Sequence, residues 1–162
     1  MKKIGILSDT HAYLNPKVLK YFEECDEIWH AGDWGSVEVA DALCAFKPVR
    51  GVCGNIDDRA IRSQFPLYER FMCEGVDVYM THVGGYPGKY EPRVFAKLCA
   101  NPPRLFVCGH SHILKVMFDK SLNMLCVNPG AAGQYGQQLV PTLIRLEVDG
   151  EKIQNLEVIE MR

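Results

Sequence analysis

The sequence predicts an α/β protein in which helices pack outside two central sheets. Three observations predict this fold. Short apolar strands alternate with helical patterns early in the chain, the later part is rich in strands, and polar side chains follow many of the strands. A chain of 162 residues can bury one sizeable core, and no linker or repeat divides it. We therefore expect a single domain over residues 1–162.

The first third of the chain is predicted to form a strand, a helix, a strand, a helix and a strand, in that order. Pro16 is typical of a first helical turn, and Ser36 is a typical helix-capping residue. The predicted segments are strand 4–7, helix 15–24, strand 27–31, helix 37–46 and strand 48–53. This alternation favours a parallel sheet with right-handed crossover connections.

The rest of the chain is mostly strand. Glu74-Gly75 predicts a hairpin turn, and Asp149-Gly150 predicts a second one. The predicted segments are strands 68–73 and 76–81, helix 91–100, and strands 104–108, 115–118, 124–127, 142–148 and 153–159. Two sheets packed face to face, with the helices outside, would bury the apolar residues in one domain.

Composition excludes several classes of protein. With 48% hydrophobic and 23% charged residues, the chain is an ordinary globular one. Its net charge of −2 predicts no general binding of nucleic acid or anionic membranes. No apolar run has the length of a signal peptide core or of a membrane span. The seven cysteines contain no C-x-x-C pair and are expected to be reduced, so we expect a cytoplasmic protein.

Ionisable and amide side chains recur where the predicted strands end, often after a glycine. They are Asp9, His11, Asp33, Asn55, Asp57, His82, His110 and His112. Three pairs have the spacing i, i+2, which in an extended backbone points both side chains toward one site. Ligands of open α/β sheets bind outside the carboxyl ends of the strands. We therefore expect these residues to converge.

Their chemistry fits a pair of metal ions. Imidazole and carboxylate ligands suit borderline divalent ions. These groups are too many for one tetrahedral ion and fit two ions that share a bridge, for which Asp33 after Gly32 is suited. Two ions about 3.5–4 Å apart can hold the attacking and leaving oxygens of a phosphoryl displacement.

Single motifs also have structural interpretations. The Ser-Asp-Thr triplet at residues 8–10 would serve equally to cap a helix, and Gly-Asn-x-Asp is a good turn signal. His30 lies inside a predicted strand, so it is expected to be a buried histidine that supports the site and does not bind metal. The histidine pair at 110 and 112 is the sharpest signal, because two histidines at one strand end rarely serve packing alone.

The motif series resembles that of the calcineurin-like metallophosphoesterases. Its members here are Asp9-x-His11, Gly32-Asp33, Gly54-Asn55-x-Asp57, His82 and Gly109-His110-x-His112. The resemblance extends from residue 4 to about residue 130, and the compact length is most similar to small bacterial and archaeal phosphodiesterases. It implies a four-layer α/β/β/α sandwich with two divalent ions at the sheet ends. Manganese is the expected ion, with nickel, iron, cobalt or zinc as alternatives.

The resemblance also implies a role for each residue. One ion would take Asp9, His11 and His112, the other would take Asn55, His82 and His110, and Asp33 would bridge them. A metal-bound hydroxide would then attack a small phosphodiester substrate, with Asp33, Asn55 and His82 acting in catalysis. Asp57 would orient a neighbouring histidine.

The chain departs from the larger family at one position. That family has Gly-Asn-His-Glu, whose histidine protonates or stabilises the leaving group, and this chain has Ile56 instead. General acid catalysis is worth roughly 10²–10⁴ in rate. The resemblance therefore implies activity on aryl-activated diesters and weak activity on alkyl monoesters.

Three alternatives to this interpretation are considered at the level of sequence. They are a phosphomonoesterase, a non-catalytic scaffold similar to the retromer subunit of this superfamily, and a zinc amidohydrolase-type centre. The last would need a barrel for which the chain is too short. The sequence does not identify the substrate or the oligomeric state, and a homo-oligomer remains open.

Overall fold

The strands and helices occur in the predicted order, with one additional short helix. The structure is a computed structural model and describes residues 1–134, 136 and 140–162. Its strands are β1 (Lys2–Leu7), β2 (Glu27–His30), β3 (Val49–Gly51), β4 (Tyr68–Cys73), β5 (Val76–Thr81), β6 (Leu105–Val107), β7 (Lys115–Asp119), β8 (Met124–Asn128), β9 (Thr142–Asp149) and β10 (Lys152–Glu160). Its helices are α1 (Lys17–Tyr21), α2 (Val37–Phe46), α3 (Arg59–Arg62) and α4 (Pro92–Ala100).

The strands form two mixed sheets of five strands each. The first sheet has the order β10-β9-β1-β2-β3 and the second has the order β4-β5-β6-β8-β7. Strands β1, β2 and β3 are parallel, and β9 joins β1 antiparallel. In the second sheet β5, β6 and β8 are parallel, and the hairpin partner β4 and the strand β7 are antiparallel edges. The parallel strands of each sheet end at a common edge, where the candidate residues follow them.

Three apolar clusters separate four layers. The central cluster lies between the sheets and includes Ile6 and Trp29 from the first and Val78 from the second. A second cluster packs α1 and α2 against the outer face of the first sheet, and a third packs α4 against the second. Each sheet is therefore covered on both faces, which explains why its central strands are apolar throughout. The fold is the four-layer α/β/β/α sandwich.

Two local predictions were wrong. Helix α1 ends at Tyr21, three residues earlier than predicted, because Phe22 leaves the helical conformation with φ −98° and ψ 7°. The short helix α3 was not predicted. It is capped by Asp58, whose side chain accepts a hydrogen bond from Ile61 N. Four residues are too few to show helical periodicity in the sequence.

The cysteines and the helix lengths can be compared with the expectations of reduced thiols and of no membrane span. All seven cysteines are free thiols, and five of them are buried. Within residues 1–134, 136 and 140–162, no helix is long and apolar enough to cross a bilayer.

Candidate metal centre

The loops that follow β1 and β2 run side by side. Three backbone hydrogen bonds join them: Asp9 N donates to Gly32 O (2.9 Å), His11 N to Asp33 O (3.1 Å) and Ala12 N to Trp34 O (2.8 Å). The loop after β6 completes this edge, since His110 N donates to Asp9 Oδ2 (3.1 Å). These contacts bring residues from both sheets to one site.

Five of the candidate ligands have a left-handed backbone. Their φ values are 55° for Asp9, 48° for His11, 59° for Asp33, 72° for His110 and 65° for His112. Non-glycine residues adopt this conformation at a cost and retain it where surrounding contacts impose it, often at functional sites. The expected convergence of residues 9 and 11 and of residues 110 and 112 is observed, but its predicted reason was wrong. The side chains meet because the loops are tightly curled, not because the backbone is extended.

The first group of possible ligands consists of Asp9, His11 and His112, whose ligand atoms all lie within 4.8 Å of one another. Asp9 Oδ1 is 3.2 Å from His112 Nε2 and 3.7 Å from His11 Nε2. The other oxygen of Asp9 accepts hydrogen bonds from Ser8 Oγ (2.6 Å) and His110 N. The carboxylate is therefore fixed with one oxygen facing both imidazoles.

The second group consists of Asp33, His82 and His110, with ligand atoms again within 4.8 Å of one another. Asp33 Oδ2 lies 3.2 Å from His82 Nε2 and 3.5 Å from His11 Nε2, which belongs to the first group. Its other oxygen accepts a hydrogen bond from Ile56 N (3.1 Å). Asp33 thus lies between the two groups, where the resemblance places a bridging ligand.

Buried lone pairs show that these groups fit cations. His82 Nδ1 donates to Ala31 O (2.7 Å), so in the neutral ring Nε2 carries a lone pair. That atom and Asp9 Oδ1 are buried and have no hydrogen-bond partner among the described residues. A lone pair directed at carboxylate oxygens is repulsive unless a proton or a metal ion lies between them. The donor set therefore fits divalent metal ions.

The carboxylates and imidazoles shift one another's pKa. Burial raises the pKa of Asp9, but His11, His82, Ser8 and His112 together outweigh it and hold this pKa below its usual value. Burial also raises the pKa of Asp33, and the interactions with His82, Ile56 N and His11 reverse the effect.

The pKa values of the neighbouring histidines, His11 and His82, are shifted upward. The interaction with Asp9 raises the pKa of His11 against the effect of burial. Burial lowers the pKa of His82, but the interactions with Asp33 and Asp9 raise it by a larger amount. The net shift of this pKa is therefore upward. Protons and metal ions compete for the same lone pairs, so metal affinity falls as pH falls.

Asn55 and Asp57 differ in what they contact. Asn55 reaches the second group, with Oδ1 3.1 Å from His110 Nδ1. Asp57 instead accepts hydrogen bonds from the backbone N–H groups of Asp33 (3.0 Å), Gly35 (3.0 Å) and Gly54 (2.7 Å). The prediction that Asp57 orients a histidine was wrong, because three N–H groups already use its carboxylate. Its contacts tie the loop after β2 to the loop after β3 and so position Asp33.

His30 is fully buried and lies beneath the ligand-bearing loops. Gly32 N donates to its Nδ1 (3.0 Å), so Nε2 carries the hydrogen and donates to Thr10 Oγ1 (3.1 Å). Thr10 Oγ1 in turn donates to Trp34 O (2.9 Å), and the His30 ring stacks on Trp34 at 3.8 Å. Burial lowers the pKa of His30 to about 3, so the ring remains neutral and holds the two loops.

Two supporting residues were missed by the sequence reasoning. Asn128 Nδ2 donates to Gly109 O (3.0 Å) and Ser111 Oγ (3.1 Å), which fixes the loop that carries His110 and His112. Arg62 donates through Nε to Asp57 O (2.8 Å) and through Nη2 to Gly54 O (3.0 Å), bracing the loop after β3. Asn128 had a signal in the Asn-Pro-Gly triplet, whereas no local pattern marks an arginine that binds carbonyls.

Two glycines are needed for close approach. A Cβ at Gly54 would collide with the Asp33 carboxylate, and one at Gly109 would collide with Ser8 Oγ. Neither glycine has a positive φ, so both are needed for space alone, whereas Gly32 (φ 102°) adopts the left-handed conformation that a glycine permits.

Comparison with known proteins identifies the family. The model of the calcineurin-like phosphoesterase superfamily domain matches residues 1–151. The chain belongs to this superfamily. A curated relative, a probable metallophosphoesterase of Methanothermobacter thermautotrophicus, is 29% identical over 156 residues, which covers 93% of this chain and 88% of the relative. Family membership supports a metal-dependent phosphoesterase, a class of hydrolase.

Solved structures share the fold across its whole length. An archaeal phosphodiesterase superimposes with a TM-score of 0.79 at 19% identity and covers 98% of this chain and 99% of its own. Vps29 from Chaetomium thermophilum superimposes with a TM-score of 0.78 at 17% identity, covering 99% and 97%. At these identities the two structures establish the architecture only.

Proposed function

We propose that the chain is a phosphodiesterase that binds two divalent ions and hydrolyses small phosphodiesters. One observation carries the proposal: two groups of three ligand-type side chains meet at Asp33, a member of the second group whose Oδ2 faces a histidine of each group. The buried Asp9 Oδ1 and His82 Nε2, which have no hydrogen-bond partner in the described chain, support occupation of these groups by cations. Manganese is the proposed ion, with nickel, iron, cobalt or zinc as alternatives.

Each side chain has a defined task in this proposal. Asp9, His11 and His112 would hold one ion, and His82, His110 and the side-chain carbonyl of Asn55 would hold the other. Asp33 would be the ligand that both ions share. Bound ions would lower the pKa of a water molecule and neutralise the phosphate. The amide N–H of Asn55 is a donor for a phosphate oxygen. Ala31 O and the backbone N–H groups described above keep His82 and the two aspartates in place.

Ile56 supports a preference for diesters with good leaving groups. This residue is 48% exposed, follows Asn55 in the chain and has no side-chain proton to donate. A departing alkoxide would need that proton, whereas a nitrophenolate leaves without it. We therefore propose turnover of aryl diesters and weak activity on alkyl monoesters. The fold shared with an archaeal phosphodiesterase is consistent with this proposal.

The decisive experiment is hydrolysis of bis(para-nitrophenyl) phosphate by chelated protein with Mn, Ni, Zn, Co or Mg restored singly. Para-nitrophenyl phosphate and an alkyl phosphate monoester are measured in parallel. We expect diester turnover that depends on added metal, with the alkyl monoester the poorest substrate by about 100-fold or more.

Two results would contradict the proposal. Equal turnover of the alkyl monoester would indicate a phosphomonoesterase. Absence of hydrolysis with every metal, in folded protein that still binds ions, would favour the non-catalytic scaffold with the same fold.

A further inference from the structure

A cavity of about 360 Å³ opens beside the second group of ligands. The loop after β6 forms one wall through Gly109, His110 and Ser111, and the loop after β5 forms the opposite wall through Tyr86 and Lys89. Lys115, at the start of β7, lies between these walls. His110 therefore belongs both to the candidate metal centre and to the cavity lining. A phosphodiester held at the ions would extend one of its organic groups into this space.

The cavity walls are held in place by hydrogen bonds of two lining residues, Tyr90 and Asn128. Tyr90 O–H donates to Asp119 Oδ2 (2.7 Å), which ties the loop after β5 to the end of β7. On the other side Asn128 Nδ2 holds Ser111 Oγ and Gly109 O. The space is therefore formed before a ligand arrives, as in most small-molecule sites, and its volume lies at the lower end of their range.

Lys115 places a positive charge at the wall of the cavity. Its Nζ lies 3.6 Å from the centre of the Tyr86 ring, a cation–π contact that fixes the ammonium at the wall. Within the described residues Lys115 forms no ion pair with a carboxylate. The one acidic residue in the lining, Glu91, instead accepts a hydrogen bond from Val94 N (2.9 Å) at the start of α4. A half-buried ammonium without an acidic partner is a binding group for an anion.

We propose that this cavity binds the organic group of the phosphodiester and that Lys115 selects substrates whose organic group carries a second negative charge, such as a carboxylate or a further phosphate. This inference rests on the proposed function, since the first charge, that of the diester itself, lies at the ions. The Tyr86 ring supplies an apolar surface for the part of the ligand between the two charges. The substrate class is thus a small dianionic phosphodiester.

The test compares two substrates that differ in one charge. Both are phosphodiesters with a para-nitrophenyl leaving group; the other ester is para-carboxyphenyl in one and the neutral para-carbamoylphenyl in the other. Wild-type protein, Lys115→Gln and the control Lys120→Gln, an exposed lysine outside the cavity, are measured with both. We expect a KM about five-fold lower for the carboxylate in wild type and in Lys120→Gln. Lys115→Gln should remove this preference, so that the two substrates have the same KM.

A binding measurement separates this inference from the proposed function. Chelated protein is titrated with each diester, and the backbone amides of Gly84 and Ser111 are followed by NMR. A stronger response to the carboxylate that depends on Lys115 supports the anion site even if no hydrolysis occurs with any metal. Hydrolysis of both diesters with equal KM, or a preference that survives Lys115→Gln, would overturn the inference and leave the phosphodiesterase intact.

Discussion

At the scale of single residues, the site combines strained backbone with carboxylates that are each held in place through one oxygen. Asp9, Asp33 and three histidines hold a left-handed conformation that their side chains disfavour. The cost is offset by backbone hydrogen bonds between loops, such as Asp9 N to Gly32 O, and by the fixed outer oxygen of each carboxylate. The inner oxygens and the imidazole nitrogens are thereby pre-organised before an ion binds.

The most sensitive single residue is Asp33. Asp33→Asn keeps the size of the side chain but removes the charge shared by both groups, so we expect a loss of about 100-fold or more in kcat/KM and fewer ions bound per chain. Metal content by mass spectrometry and diester hydrolysis test this. The control is Asp41→Asn, at an exposed position on α2. Unchanged metal content in Asp33→Asn would show that the carboxylate is not a shared ligand.

His30 gives a pH-dependent prediction that is independent of metal. Its pKa is about 3 in the folded protein and 6.5 for a free side chain, so between these values the unfolded chain binds one more proton. The contribution of neutral His30 to the free energy of unfolding is therefore fully present above about pH 6.5. It falls by up to about 1.4 kcal/mol per pH unit as the pH decreases toward 3.

The His30→Gln variant lacks this titration. We expect its free energy of unfolding to fall less steeply with decreasing pH than that of wild type. Urea denaturation in the presence of chelator, between about pH 4.5 and pH 6.5, measures both slopes. Parallel slopes would mean that His30 is protonated in the folded protein. The absolute stability of the variant does not enter the comparison, so lost stacking on Trp34 does not disturb it.

At the scale of elements, the loops after the strands form the site, and neighbouring elements brace them. Helix α3 has four residues, yet it supplies Arg62, which binds two carbonyl oxygens of the loop after β3. Asp57, from the same loop, binds N–H groups of the loop after β2. Asn55 and Asp33 are thus positioned by one connected set of hydrogen bonds.

Removal of this brace should loosen the second group of ligands. Arg62→Met keeps the length of the side chain but donates no hydrogen bond, so we expect metal affinity to fall about 10–100-fold while the fold persists. Calorimetric titration with Mn²⁺ and circular dichroism measure the two properties. Arg59→Met, an exposed arginine on the same helix, serves as the matched control. Equal affinity in the two variants would assign Arg62 to packing alone.

At the scale of the whole molecule, ions would cross-link the two sheets. Asp9, His11 and Asp33 follow strands of the first sheet, whereas His82, His110 and His112 follow strands of the second. Metal that binds only the folded chain stabilises it by mass action. At about one hundred times the dissociation constant, we expect the melting temperature to rise by about 5–10 °C over chelated protein.

Differential scanning calorimetry of wild type and Asp33→Asn, each with and without Mn²⁺, tests this expectation. The variant should show the smaller rise. A rise of equal size in both proteins would place the stabilising ion elsewhere on the surface. Parallel measurements at pH 6 and pH 8 should show a larger rise at the higher pH, because protons on His11 and His82 compete with the ion.

Sequence alone determined the order of elements, the two sheets and the set of candidate ligands. Each follows from local patterns: the hairpin at Glu74-Gly75, apolar strands that a sandwich buries on both faces, and polar residues where those strands end. Local patterns also limited the prediction. A four-residue helix is too short to show helical periodicity, and Asp57 has the same type of side chain as a metal ligand, so its role could not be distinguished.

Only the tertiary structure decided which atoms face one another. Contacts such as His110 N to Asp9 Oδ2 join residues 101 positions apart, and Asn55 lies 55 positions from His110. The curled loops, the use of Asp57 by backbone N–H groups and the cavity at Lys115 all depend on how separate loops pack against one another. The physical reason is that a residue's type sets what it is able to bind, whereas packing of distant segments sets what lies within its reach.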